Sequence, residues 1–111
     1  MPKEPILQAM RKVSLVSDPK TFKVCLEIDE QQIRVSAETP ESEEMHETLA
    51  VESSTGSIRI GINAQMLIET LLRIRTGAVS LEFSGVLEPI IVKPIGEEDH
   101  LCVIMPMSLE S

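Results

Sequence analysis

The alternation of apolar and polar residues most constrains this chain: it falls into short runs separated by turn chemistry and is interrupted twice by helical spacing. Alternation with period two sets one face of a strand against a core and the other in water. Phe22, Val24, Leu26 and Ile28 alternate with Lys23, Cys25 and Glu27. After the turn Asp29-Glu30-Gln31-Gln32 come Ile33, Val35 and Ala37, and an acidic connection from Pro40 to Glu44 leads to a third run through Met45, Glu47, Leu49 and Val51. Ser53-Ser54-Thr55-Gly56 reads as a hairpin before Ile58, Ile60 and Ile62. Val79-Leu81-Phe83, Ile90-Val92 and Leu101 to Met107 complete the strands, with Gly96-Glu97-Glu98-Asp99 joining the last two.

Two segments follow the other period. Pro5 suits the first turn of a helix over 5–16, with Ile6, Leu7, Met10 and Val13 on one face and Gln8, Arg11, Lys12 and Leu15 on the other. Ser17-Asp18-Pro19-Lys20 ends it. Asn63 is an N-cap for a helix over 64–75 built on Ala64, Leu67, Ile68 and Leu71, closed by Thr76-Gly77. The order is α-ββββ-α-βββ. Val24-Cys25-Leu26-Glu27-Ile28 and Val79-Ser80-Leu81-Glu82-Phe83 each follow a helix, which suggests an internal duplication; chance similarity of two amphipathic strands explains five residues equally well. In a duplication, strand 57–62 leads into the second unit, while the first is one strand short at its start. The expectation is one α+β domain over 1–111, with antiparallel sheets and two helices on one side.

Composition removes several functions. Ten Lys and Arg against 18 Asp and Glu give a net charge of −8, and aromatics are only 2% of the chain. Neither suits wrapping DNA by bulk charge nor stacking bases on aromatic platforms. Cys25 and Cys102 lie far apart, with no CxxC, and read as buried reduced thiols. No apolar run reaches membrane length and MPKEP is no signal peptide, so a soluble, cytoplasmic protein is expected. No GxSxG, GxxxxGK[ST] or HExxH is present, and His46 and His100 lie in acidic, solvated surroundings. No catalytic residue, metal or cofactor is expected.

What remains points to surfaces. Arg11, Lys12, Arg73 and Arg75 are four of the ten basic residues and lie on the two helical segments. With both helices on one side of the sheet they make a positive strip suited to phosphates, though solubilising the helices and complementing their C-terminal dipoles accounts for them as well. Pro106 marks a sheet edge or strand end, between two methionines that make an adaptable apolar surface. Met66 falls on the polar side of its helix, as does Leu15, followed by Val16; fraying of the last helical turn or a subunit contact explains the latter two.

Ile60-Gly61-Ile62-Asn63-Ala64 before a Leu-rich helix, Val79 to Phe83, and the ending Val103-Ile104-Met105-Pro106-Met107 resemble the third domain of the bacterial sliding clamp, the beta subunit of DNA polymerase III. Arg11 to Asp18 with Lys20, and Ser36-Ala37-Glu38 with Pro40-Glu41, are similar to it too, so the likeness covers about residues 4–109. The resemblance implies a non-catalytic DNA-clamp fold of duplicated βαβββ units, whose helices line a channel for duplex DNA. The whole clamp has three such domains and closes head-to-tail into a ring. Implied partners are peptide motifs of DNA polymerases and other clamp-binding proteins, the clamp loader, duplex DNA without sequence preference, and other clamp subunits. The implied peptide pocket comprises Asn63, Met66, Leu87, Pro89, Val103, Met105, Pro106 and Met107, in which Asn63 hydrogen-bonds the peptide backbone. The implied subunit contact is Leu15 and Val16, and the DNA-facing residues are Arg11, Lys12, Arg73 and Arg75. Ser108 stands where the family often has arginine, and Met66 where it often has an aromatic residue. A free-standing clamp-like domain that self-assembles, or acts as a decoy for clamp-binding proteins, is the alternative.

Overall fold

The computed structural model describes residues 2–17, 20–38, 44–50, 57–96 and 101–107, apart from the side chains at 38, 44–47 and 50. Helix α1 spans Lys3–Ser14 and buries Ile6, Leu7, Ala9, Met10 and Val13. It starts two residues before the expected Pro5, because proline is tolerated anywhere in the first turn, where no N–H is required. It ends at Ser14 rather than 16. There the N–H groups of Leu15, Val16 and Ser17 reach back only three residues, at 3.2–3.3 Å, and the Ser17 hydroxyl donates to the Ser14 carbonyl at 2.8 Å. This tightening satisfies the last carbonyls and stops the helix.

Strands β1 (Lys23–Ile28), β2 (Gln32–Glu38), β3 (Glu44–Ala50) and β4 (Ile58–Asn63) form one antiparallel sheet in the order β3-β2-β1-β4. The hairpin expected at Ser53 to Gly56 is a correction. That tetrad lies outside the described residues, but β3 and β4 sit at opposite edges, so the chain crosses between them rather than turning back. Turn-forming residues mark a break in the strand without fixing the destination of the next one.

Helix α2 (Ala64–Arg73) follows β4 directly and buries Ala64, Leu67, Ile68 and Leu71. It stops two residues before the expected end, since Ile74 turns to extended backbone and buries its side chain in the core. Arg75 therefore lies past the helix, correcting its assignment to a helical face. Strands β5 (Val79–Glu82), β6 (Ile90–Pro94) and β7 (Cys102–Ile104) form a second antiparallel sheet in that order. The expected strand from Leu101 to Met107 is thus only three residues long. Proline at 106 has no N–H to donate to a ladder, and Met107 instead bridges to Gly61 on β4.

The two halves have matching order. A helix leads into three meandering strands twice, and β1 and β5 occupy equivalent places, as the paired pentapeptides suggested. β4 runs beside β1; at the corresponding edge, Pro2 bridges Ala78 and the Lys3 N–H donates to the Gly77 carbonyl at 2.9 Å. One core unites both halves. Ile6, Met10, Leu26, Ile60, Leu67, Leu71 and Ile104 are among its largest wholly buried members, drawn from both helices and both sheets. Each such side chain contributes about 1.5–3 kcal/mol by leaving water.

Candidate functional site

The apolar residues singled out in the sequence cluster around the junction of the two sheets. Asn63 ends β4 in extended conformation and caps α2, its side-chain oxygen accepting the Met66 N–H at 3.2 Å. With that oxygen committed to the cap, the amide nitrogen is the group left to donate to a ligand. Met66, one turn into α2, is 46% exposed. Two residues before Asn63, the Gly61 carbonyl accepts the Met107 N–H at 2.7 Å. Glycine inside a strand often marks a close approach of neighbouring backbone, and Gly61 lies between its two register partners, Cys25 and Met107. This bond holds the segment after β7 beside the start of α2.

β7 itself alternates. Ile104 points into the core, while Val103 and Met105 are 54% and 57% exposed. Leu101 is exposed at the next position of the same period, so Leu101, Val103 and Met105 line one side. The β6–β7 pairing sets Ile90 opposite Ile104 and Ile91 opposite Val103, and extending this register outward places Pro89 level with Met105. Pro89 is reached through a turn closed by the Glu88 N–H on the Gly85 carbonyl at 3.3 Å, with Leu87 at its tip, 66% exposed. Pro89, Pro106 and Met107 are half-buried. Backbone pairing thus joins Met107 to the β4–α2 corner and Pro89 to the β7 stripe. Leu101 and Val86, also exposed, were missed in the sequence; the clue was their spacing, Leu101 two residues from Val103 and Val86 beside Leu87.

A cavity of about 400 Å³ opens at the other end of the four-stranded sheet, lined in part by Glu27, Asp29, Arg34, Ser57 and Arg59. The Ile28–Ile58 pair lies five register steps from Lys23–Asn63, roughly 17 Å at the strand rise. Its two arginines are matched by two carboxylates, with Arg59 Nε 3.8 Å from Glu27 Oε1, and Asp29 accepts the N–H groups of Gln31 and Gln32. Such a lining has no charge excess to attract an ion.

Arg11 and Lys12 are exposed in the last turn of α1, and Arg73 is exposed in the last turn of α2. Lys3 Nζ donates to the Ile74 carbonyl at 2.6 Å, so the start of α1 lies at the end of α2. The cations therefore form two groups, with Arg73 and Arg75 at one end of α1 and Arg11 and Lys12 about 12 Å along its axis. Leu15, just past α1, is 82% exposed, whereas Val16 packs against the core. Cys25 is buried and free, and burial pushes its thiol pKa up against the pull of Arg59. Cys102 is only half-buried, which corrects the expectation of two buried thiols. Among the described residues no cluster could hold a metal ion, and no helix is long and apolar enough to cross a membrane. The side chain of His46, and His100 altogether, lie outside the described residues.

A family model, DNA polymerase III beta subunit, C-terminal domain, matches residues 1–108. The chain belongs to this family. The beta sliding clamp of Pseudomonas putida is 27% identical over 107 residues, covering 96% of this chain and 29% of the relative. That of Escherichia coli K12 is 26% identical over 102 residues, or 92% and 28%. Among solved structures, a DNA polymerase sliding clamp from Pseudomonas aeruginosa superposes with a TM-score of 0.94 at 27% identity, covering 97% of this chain and 30% of that one. A sliding clamp from the same organism bound to griselimycin gives 0.95 at 27% identity, over 98% and 30%. The clamp domain thus spans about three tenths of the length of its relatives, and its α+β architecture is that of the sliding clamps.

The capping geometry of the clamp domain generates one prediction. Asn63→Ala should cost about 0.5–2 kcal/mol of stability, whereas Asn63→Asp, which keeps an acceptor at the cap, should cost much less. Urea unfolding followed by circular dichroism compares them; equal losses would show that the cap is not what Asn63 supplies.

Proposed function

We propose that this clamp domain docks short linear peptides of DNA polymerases and other clamp-binding proteins at the apolar surface around Met66, Leu87, Val103, Met105 and Met107, and contributes to a ring around duplex DNA. The observation that carries the reading is the Met107–Gly61 bond. It secures an exposed apolar segment beside an exposed methionine at a helix start. Exposed apolar side chains gathered in one place on a soluble domain mark interaction sites. They accept a ligand's aliphatic or aromatic anchors, while the Asn63 amide donates to its backbone. No covalent chemistry is involved.

The ring belongs to the same reading. Arg11, Lys12, Arg73 and Arg75 face duplex DNA, attracting phosphates without reading bases, and the clamp loader acts on the assembled ring. Leu15, exposed at the end of α1, is the centre of the subunit contact; Val16 supports it from the core side. An exposed leucine of this kind also suits a free-standing domain that self-associates or competes for clamp-binding peptides.

Three measurements test this. Griselimycin, the ligand of a relative, should bind the chain in calorimetry, and Met105→Ala should weaken binding by about tenfold or more, the usual loss at a buried anchor; undiminished binding contradicts the site. Replacing Arg11, Lys12 and Arg73 with glutamine should weaken DNA association and flatten its dependence on salt, by roughly one unit of log–log slope for each phosphate no longer neutralised. An unchanged slope removes these residues from the DNA face. In light scattering across concentration, Leu15→Asp should shift any self-association toward 12.3 kDa monomer; oligomers indifferent to the change would place the contact elsewhere.

A further inference from the structure

Lys3 stands outside the four cations singled out in the sequence, yet its side chain ends beside two of them. It is half-buried and brings Nζ to the Ile74 carbonyl at 2.6 Å, and Ile74 lies between the exposed Arg73 and Arg75. Consecutive Cα atoms are about 3.8 Å apart, so all three cationic side chains meet within one residue of the same carbonyl. The segment that carries them is fixed. The Ile74 side chain is buried in the core, the Thr76 hydroxyl donates to the Ala78 carbonyl at 2.9 Å, and the Gly77 carbonyl accepts the Lys3 N–H at 2.9 Å. Cations held this way lose little freedom when they bind.

Complementing the dipole of α2 accounts for only part of this. An ammonium group carries three N–H donors, and the Ile74 carbonyl takes one of them. It does not account for the lack of a counter-charge. The chain has 18 Asp and Glu against ten Lys and Arg, and elsewhere Arg59 and Lys93 each stand beside a carboxylate, of Glu27 and Glu82. Among the described residues, none of Lys3, Arg73 and Arg75 forms an ion pair. Glu4 accepts the Gln8 amide at 3.0 Å, and Glu69, one turn before Arg73, makes no pair with it. Like charges gathered without a counter-charge repel one another, and an anion from outside relieves that. The C-terminal end of a helix by itself repels anions. With Nζ on the Ile74 carbonyl, that end of α2 is covered, and the flanking guanidinium groups present the paired donors that match phosphate oxygens.

We infer that Lys3 joins Arg73 and Arg75 in a phosphate site at the end of α2, and gives its remaining N–H donors to the backbone of duplex DNA. The inference rests on the DNA face proposed above. The experiment is fluorescence anisotropy of a labelled DNA duplex with the full chain across salt concentrations, for the parent, Lys3→Gln and Lys3→Arg, each checked for folding by thermal unfolding. Lys3→Gln removes the charge but keeps a donor for the Ile74 carbonyl, whereas Lys3→Arg keeps the charge. Lys3→Gln should flatten the log–log dependence on salt by roughly one unit, and Lys3→Arg should retain the parent's slope. If Lys3→Gln keeps that slope while replacing Arg11, Lys12 and Arg73 together flattens it, Lys3 only braces the helix end, and the phosphate role is overturned with the DNA face intact. Equal flattening in Lys3→Arg and Lys3→Gln also overturns it, because charge is then not what the site uses. If the parent binds no duplex, or the triple replacement leaves the slope unchanged, the DNA face is overturned and the role of Lys3 falls with it.

Discussion

β4 carries partners on both edges, and the arrangement of the molecule depends on that. On one edge it pairs along its whole length with β1, tying the second half of the chain to the first. On the other it takes Met107 through a 2.7 Å backbone hydrogen bond at Gly61, which returns the segment after β7 from the second sheet to the first. A net backbone hydrogen bond is worth only about 0.5–1.5 kcal/mol. Its effect here is geometric, because Ile104 is locked in the core three residues before Met107, and Asn63 starts a helix two residues after Gly61. With both ends fixed, Met105 and Pro106 have little freedom, and the apolar groups outside the core are presented in a defined arrangement.

The same corner concentrates unusual backbone demands. α2 begins without an acidic residue in its first turn, so its N–H groups rely on two specific acceptors: the Asn63 side chain and the Phe22 carbonyl. One comes from β4 and the other from the residue before β1, so the helix start is braced by both strands. The far end of α2 is braced differently, by the Lys3 ammonium on the Ile74 carbonyl, a cation placed where the helix dipole is negative. Helix ends thus add to the buried helix faces in organising how the two halves meet.

The strands and helices were largely legible in the sequence because each has one buried face. Val24, Leu26 and Ile28 against Glu27, or Ile6 and Met10 against Gln8 and Arg11, declare their period at once. The ends were less legible. Ser17's hydroxyl and Ile74's burial stop the helices, and neither follows from local propensity. Sheet order was not legible at Ser53 to Gly56, since turn residues do not tell which strand the next one joins. At the docking corner, Asn63 as a cap was readable from its position before an apolar helix. Pro106 correctly signalled the end of a strand, although the return to Gly61 depends on tertiary packing. The left-handed backbone of Phe22, at φ +51°, left no local sign, because an aromatic residue in an alternating run looks like any other strand residue.

The most direct test is to map griselimycin on the folded chain by two-dimensional NMR of backbone amides and methionine methyls. The largest perturbations are expected on Asn63, Met66 and the stretch Val103 to Met107, with Glu27, Arg34 and Arg59 unmoved. Perturbations centred on the cavity at Glu27, Arg34 and Arg59, with Met66 and Met105 unchanged, would contradict it.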